Sequence, residues 1–336
     1  MIGIVVEISA FSFHVVGERT YKGFKALGYS SISLVNPFMS LLLGRFKRLI
    51  YIGETVFHTK FGFHRRYANF AEKLVLWTDT VINLQEIPDS DVNFINDGNF
   101  INIAVSHYNA NCMKLRGLRV DGVVGRPLDS QAINEALKTE SPYREMFGKY
   151  ILTIAKEGAP DAKHQRKGLD RFDDAIGMIK GELKKRGLKA VAVTNLNLKN
   201  IDHIIPSGTI KGSEVFKLIK GATLFVFPSR GEGFGLPPLE AMSVGTPIVY
   251  TNIPSHNEFT VGIPVEADYQ EISEYVPSLN IRWTVWDYPA KNLADTILYA
   301  LDMIGTEYMD KLCMKAIEKS RKFYEVEIAK KLLDTI

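Results

Sequence analysis

Cysteine is scarce in this 336-residue chain: Cys112 and Cys313 are the only two and lie far apart, so neither a disulfide framework nor a CxxC metal site is available and a reducing compartment is expected. The seven histidines fall at no HxxxH or HxH spacing, which gives zinc no support. No stretch reaches the roughly 18 consecutive apolar residues of a membrane-spanning helix. The N-terminus, MIGIVVEIS, has no basic region and reads as a buried strand rather than a signal peptide. Internal repeats and low-complexity segments are also missing. Net charge is only +3 but unevenly spread: residues 1–75 hold 10 Lys and Arg against 4 Asp and Glu, and the remainder is slightly acidic. What is left is a chain long enough for two α/β domains of about 150 residues each, expected in the cytoplasm.

What is present is concentrated between Leu224 and Val249, LFVFPSRGEGFGLPPLEAMSVGTPIV. Leu224 to Phe227 is a short apolar run of the kind that fills a buried parallel strand, and Pro228-Ser229 closes it. Gly231, Gly233 and Gly235 then alternate with Glu232 and Phe234, in a loop whose backbone is able to take positive φ and approach a bound group without a Cβ in the way. Pro237 and Pro238 suit the first turn of a helix, and Gly245-Thr246-Pro247 stops that helix after about two turns. Prolines donate no hydrogen bonds, so Gly233, Phe234, Gly235 and Leu236 supply the amides at this helix start, an arrangement that attracts phosphate. Glu232 in the loop and Glu240 one turn into the helix offer acceptors to sugar or ribose hydroxyls. An ordinary Gly-rich strand-to-helix turn, with Glu240 offsetting the helix dipole, accounts for the same spacing.

This stretch resembles the signature of the retaining GT-B glycosyltransferases of the glycosyl transferases group 1 family, two Glu separated by seven residues, written here Glu232-GFGLPPL-Glu240 between FPS and GTP. The resemblance implies an α/β fold of two Rossmann-like domains facing across a cleft. It also implies metal-independent transfer of a hexose from a nucleotide-diphosphate sugar to a hydroxyl on a glycan, lipid or protein, with no cofactor beyond that donor substrate. Carried over by position, Glu232 holds the donor sugar, the amides of Gly233, Phe234, Gly235 and Leu236 meet sugar and phosphate, and Glu240 takes the ribose hydroxyls. The family's Lys-Gly pair, which gives a cation to the donor pyrophosphate, is matched by Lys167-Gly168, with Arg166 beside it. Its Gly-Arg pair is replaced by Ala155-Lys156, which keeps a charge and loses the bidentate fork of Arg. Gly208 to Ile210 takes the position that borders the nucleobase. Gly17-Glu18 resembles the Gly-Gly-x-Glu turn between the first strand and first helix, with Val16 in place of the first glycine. Glu232, Lys167 and Arg166 are the expected catalytic residues.

Along the chain, strands are expected at Ile2–Ile8, Ser31–Val35, Leu49–Ile52, Leu74–Trp77 and Asn102–Val105. A helix from about Gly17 to Leu27 and a Ser106-capped helix ending before Gly117 complete the opening of a doubly wound fold. The first domain is placed at residues 1–147, and the resemblance gives it the acceptor. The second, at residues 148–316, takes the nucleotide sugar, and a closing helix at about 317–336 packs back on the first. Residues 271–289, including IRWTVWDYP, fit the family poorly and read as a local elaboration.

Phe38 to Ile50, FMSLLLGRFKRLI, followed by Lys60, His64, Arg65 and Arg66, fits a sheet-covering helix with a solvated basic edge, and it also fits peripheral contact with an anionic membrane at its inner face. Asp89-Ser90-Asp91 has the DxD form of a metal site but follows Pro88 in what reads as a polar loop. Gly231-x-Gly233 fails the dinucleotide fingerprint because Leu236 replaces its third glycine, and no nucleic-acid module is visible. Two other functions suit the same fold: a nucleotide-sugar epimerase, and a nucleotide-sugar-binding relative without turnover. Intact Glu232, Glu240 and Lys167 argue against the second.

Overall fold

A computed structural model describes the chain except for residues 1, 7–10, 30–31, 36–45, 61, 80–83, 156–164 and 279. Two compact units emerge, Met1–Asp129 with Lys322–Ile336, and Ser130–Arg321.

The first unit runs β1 (Ile2–Val6), α1 (Phe11–Ala26), β2 (Ile32–Val35), β3 (Phe46–Glu54), α2 (Thr55–Lys60), α3 (Phe63–Ala68), β4 (Ala71–Asp79), α4 (Asp89–Asp97), β5 (Phe100–Ala104), α5 (His107–Leu115) and β6 (Gly122–Val123). These six strands are all parallel, in the order β2-β1-β3-β4-β5-β6. Central strands of a parallel sheet are covered on both faces, which is why Leu49–Ile52 and Leu74–Trp77 are unbroken apolar runs and fully buried. Ser106 caps α5 as expected, its Oγ accepting from the Asn109 amide at 3.1 Å. A C-terminal helix, Glu325–Thr335, buries Ile328, Ala329 and Leu332 and packs on α1.

Three expectations need correction in this unit. Helix α1 starts at Phe11, so Gly17 is not a strand-to-helix turn. It lies on the buried stripe formed with Phe13, Val16, Thr20 and Phe24, whose spacing is that of one helix face. The segment Phe46 to Ile50 is strand, because its apolar run lies between β1 and β4 at the sheet centre; Lys47 and Arg48 therefore sit on β3 rather than on a helix. Residues 36–45, the rest of the expected basic helix, lie outside the described residues. Asp89 and Asp91 belong to the first turn of α4, where acidic side chains suit the helix dipole, and they pair with Arg116 (2.7 Å) and Arg65 (2.7 Å).

The second unit runs α6 (Ser130–Lys138), α7 (Pro142–Phe147), β7 (Lys149–Ile154), α8 (Leu169–Lys185), β8 (Leu188–Val193), β9 (His203–Ile205), α9 (Ser213–Gly221), β10 (Leu224–Phe227), α10 (Leu236–Ser243), β11 (Ile248–Thr251), α11 (Pro254–Asn257), β12 (Ile263–Val265), β13 (Gln270–Val276), β14 (Ile281–Asp287), α12 (Ala290–Met303) and α13 (Glu307–Ser320). Its main sheet is again parallel, in the order β12-β11-β10-β7-β8-β9. Ile151, Leu224, Val226 and Val249 form its core with Phe172, Ile176, Leu293 and Ile297 from α8 and α12. Gln270–Val276 and Ile281–Asp287 pair as a separate antiparallel hairpin, β13–β14.

The unit boundary falls at Asp129 rather than 147, because α6 and α7 pack on α9. Ser141 Oγ donates to the Lys217 carbonyl at 2.6 Å, and Lys220 Nζ to that of Thr139 at 2.8 Å. At the other end the chain leaves the second unit at Arg321 rather than 316, since α13 runs to Ser320 and packs on α10.

Candidate active site

Strand order turns back between β7 and β10: the chain moves outward from β7 through β8 to β9, then returns to β10 on the opposite side. Loops leaving the carboxyl ends of two such strands splay apart and create a crevice, the usual ligand position in an open α/β sheet. The loop after β7 carries Arg166 and Lys167; the loop after β10 carries Glu232 and leads into α10.

These two loops touch through their backbones. Gly168 ends the first at φ 66°, and a Cβ there would stand 2.0 Å from the Pro228 carbonyl oxygen, so only glycine permits the approach. The Arg230 amide donates to the Arg166 carbonyl at 2.7 Å, and Arg166 Nη1 to the Gly231 carbonyl at 2.6 Å. Of the three alternating glycines in the second loop, Gly235 alone takes positive φ, 96°, as the residue before α10. Pro237 and Pro238 stand in the first turn of α10, as expected.

Charge converges on Glu232. Lys167 Nζ lies 2.5 Å from its Oε1, Arg166 Nη1 lies 3.6 Å from its Oε2, and Ser229 Oγ donates to Oε1 at 2.9 Å. Burial by itself would raise this carboxyl, but Lys167 and then Arg166 outweigh it and bring its pKa down to about 2. His256, with no exposed surface, packs its ring 4.7 Å from Phe227, and its Nδ1 is 3.0 Å from the Thr251 carbonyl. Burial lowers its pKa to about 4 against the opposing pull of Glu232, so the ring is neutral near pH 7. An ionised carboxylate, two cations and a helix start can hold a polyanion beside a polyhydroxyl group.

Arg166, Lys167, Glu232, Gly233, Phe234, Gly235 and Leu236 are thus brought together on two adjoining loops. Phe234 contributes its side chain to the core, stacked on Phe259 at 4.5 Å. Glu240 is 7% exposed on α10. Gly208 and Ile210 follow β9 at the same edge of the sheet, two strands beyond β7, or about 10 Å across it. Lys156 lies outside the described residues, and Gly17 is a packing residue of the other unit. Sequence reasoning passed over Ser229, Arg230, His256 and Asp287. Arg230 stood inside the motif, but nothing local indicated that its charge is buried.

Residues 158–279 match the family described as glycosyl transferases group 1. The match falls within the second unit. Among curated relatives, putative glycosyltransferase 48 of Sulfolobus islandicus filamentous virus (isolate Iceland/Hveragerdi) is 29% identical over 216 residues, 64% of this chain and 64% of the relative. Putative glycosyltransferase 41 of the same virus is 25% identical over 251 residues, 74% of this chain and 66% of the relative, so each match spans slightly under two thirds of the relative's own length. Among solved structures, Anabaena Alr3699/HepE in complex with UDP-glucose superposes with a TM-score of 0.68 at 14% identity, over 100% of this chain and 99% of that one. At that identity the likeness concerns the fold, which is GT-B.

Proposed function

We propose that the chain is a retaining glycosyltransferase that moves a hexose from a nucleotide-diphosphate sugar to a hydroxyl acceptor without a metal ion. The observation that carries this reading is the convergence of Lys167, Arg166 and Glu232 at the β7/β10 switch point, beside the start of α10. In the reaction, the bond from the anomeric carbon to the diphosphate oxygen breaks and a bond to the acceptor oxygen forms on the same face; the acceptor proton passes to the departing diphosphate. Lys167, Arg166 and the helix-start amides stabilise charge that grows on the leaving group, where preorganised donors contribute most. Glu232, ionised at neutral pH, orients hexose hydroxyls, and Glu240 binds the ribose. The donor diphosphate competes with Glu232 for Lys167, so donor binding and the repositioning of Glu232 are coupled.

Incubation with nucleotide-diphosphate hexoses labelled in the sugar tests the reading. A new glycoside with the donor's anomeric configuration, formed equally in the presence of a chelator, is expected. An epimerised nucleotide sugar would instead favour an epimerase, and binding without turnover a sugar-binding relative.

Membrane contact through the basic first unit belongs to the same proposal, with a smaller set of charges than the sequence suggested. Lys47, Arg65 and Arg66 are all exposed, but Arg65 is also engaged by Asp91 and lies 4.2 Å from the Phe94 ring. Among the described residues no helix is long and apolar enough to cross a membrane.

A further inference from the structure

The β13–β14 hairpin, outside the main sheet of the second unit, is tied to the loops after β7 and β10 through one buried cation. Arg230 has no side-chain exposure. Its Nη1 donates to Asp287 Oδ1 at 2.6 Å, its Nη2 to both oxygens of Asp170 at 3.1 Å, and its Nε and Nη2 to the Gln165 carbonyl at 3.0 and 2.7 Å. Asp287 closes the hairpin and is gripped from its other side by Arg171, at 3.0 Å to each oxygen. The hairpin in turn donates the Trp286 amide to the Arg230 carbonyl at 2.8 Å. One guanidinium thereby joins the residue before Arg166-Lys167, the first turn of α8, and the end of β14.

Further contacts show that the hairpin shapes the site rather than merely flanking it. The Trp283 ring lies beneath Arg166, with the guanidinium carbon 5.8 Å from its centroid, within cation–π reach. The Thr284 carbonyl crowds Gly231, where a Cβ would stand 2.8 Å away. A buried ion network returns little net stability relative to apolar residues of the same shape, since desolvating the charges costs as much as their pairing gives. What it supplies is geometry: Arg230 can satisfy Asp170, Asp287 and Gln165 together in one arrangement of the three segments. Each of its three nitrogens donates to a protein acceptor and its side chain has no exposed surface, so it is not itself a ligand for the donor phosphate.

The geometry points to Arg230 and Asp287 as positioning residues that, through the hairpin and the Gln165 carbonyl, fix how Arg166 and Lys167 are presented to a diphosphate. This inference rests on the proposed nucleotide-diphosphate site. Its test is a double-mutant cycle on the full chain, reading affinity by calorimetry for uridine, guanosine and adenosine diphosphates and for the matching monophosphates. Asp287→Asn is expected to weaken the preferred diphosphate about 10-fold and the monophosphate under about 3-fold, and in a Lys167→Ala background its effect should shrink to about 3-fold or less, because only Arg166 of the two cations it positions remains. Diphosphate affinity unchanged in Asp287→Asn, or a loss equal for both phosphates and in both backgrounds, overturns the positioning role while leaving the nucleotide site intact. A wild type that binds none of the diphosphates removes the functional reading and the inference together. Should Asp287→Asn fail to fold, Arg171→Gln, which releases Asp287 from one side and leaves its bond to Arg230, is taken through the same cycle with the same outcomes.

Discussion

Lys167 Nζ and Glu232 Oε1 stand 2.5 Å apart although 65 residues separate them in sequence, so the loop after β7 and the loop after β10 are joined by a charge pair at the centre of the candidate site. The pair neutralises two groups that the proposed reaction uses separately. Lys167→Ala is expected to weaken nucleoside diphosphate binding by about 1.5 to 3 kcal/mol, the range for a charge-assisted hydrogen bond. Calorimetry with a diphosphate reads it directly, and an unchanged affinity would remove Lys167 from the anion site.

The two carboxylates of the motif should separate kinetically. Ribose is held equally in the ground and transition states, so Glu240→Gln is expected to raise KM and weaken nucleotide binding with little change in kcat. Glu232 orients the reacting sugar, so Glu232→Gln is expected to lower kcat by about 10- to 100-fold, on the order of 1.5 to 3 kcal/mol of transition-state stabilisation. Steady-state kinetics and nucleotide titrations on both variants decide, and equal losses of nucleotide affinity would refute the division of roles.

Surface charge on the first unit gives a third outcome. Each Lys or Arg near an anionic bilayer contributes about 1 kcal/mol, and the contribution falls as salt screens it. Arg65 is excluded because Asp91 already neutralises it at 2.7 Å. Co-sedimentation with anionic vesicles at low salt is expected for the wild type and reduced in a Lys47→Ser, Arg66→Ser variant; a wild type that stays in the supernatant ends the membrane proposal and leaves the glycosyltransferase reading untouched.

Much of the second unit was legible because its signals are local. The apolar run Leu224–Phe227, the prolines at 237 and 238 and Gly245 mark a strand, a helix start and a helix stop within a few residues of each other, and each lies where expected. Position in a motif also singles out Lys167 and Glu232, which the structure brings into contact. What could not be read was long-range: Arg230 resembles any surface arginine until Asp170, Asp287 and the Gln165 carbonyl close around it, across 57 to 65 residues. Gly17 misled because a glycine after a strand suits a turn as well as a helix interior, and the helix-face spacing of Phe13, Val16, Thr20 and Phe24, all buried, was the competing signal. The boundary at Asp129 was likewise set by packing, since nothing in the sequence of α6 names α9 as its partner.

Acid stability should reflect two buried groups with opposite charges and the same sign of effect. His256 has a folded pKa of about 4 against an ordinary 6.5, so between these values the unfolded chain binds a proton that the folded chain refuses, and stability falls as pH drops through that window. Below about 4 both states hold the proton and this contribution stops changing. Glu232, at about 2 against 4.5, acts in the lower window: its stabilisation is complete above 4.5 and is lost as pH falls toward 2. Thermal or urea unfolding of the wild type should therefore show stability already declining between pH 6.5 and 4.5, by up to about 3 kcal/mol across the histidine window. His256→Gln keeps a polar group beside Thr251 but cannot titrate there, so it should flatten the upper window and retain the lower one. Lys167→Ala removes the main force holding Glu232 ionised and should shrink the lower window instead. A wild-type profile that is flat from pH 6.5 to 4.5 would mean that His256 takes up its proton without cost, contrary to its burial against Phe227.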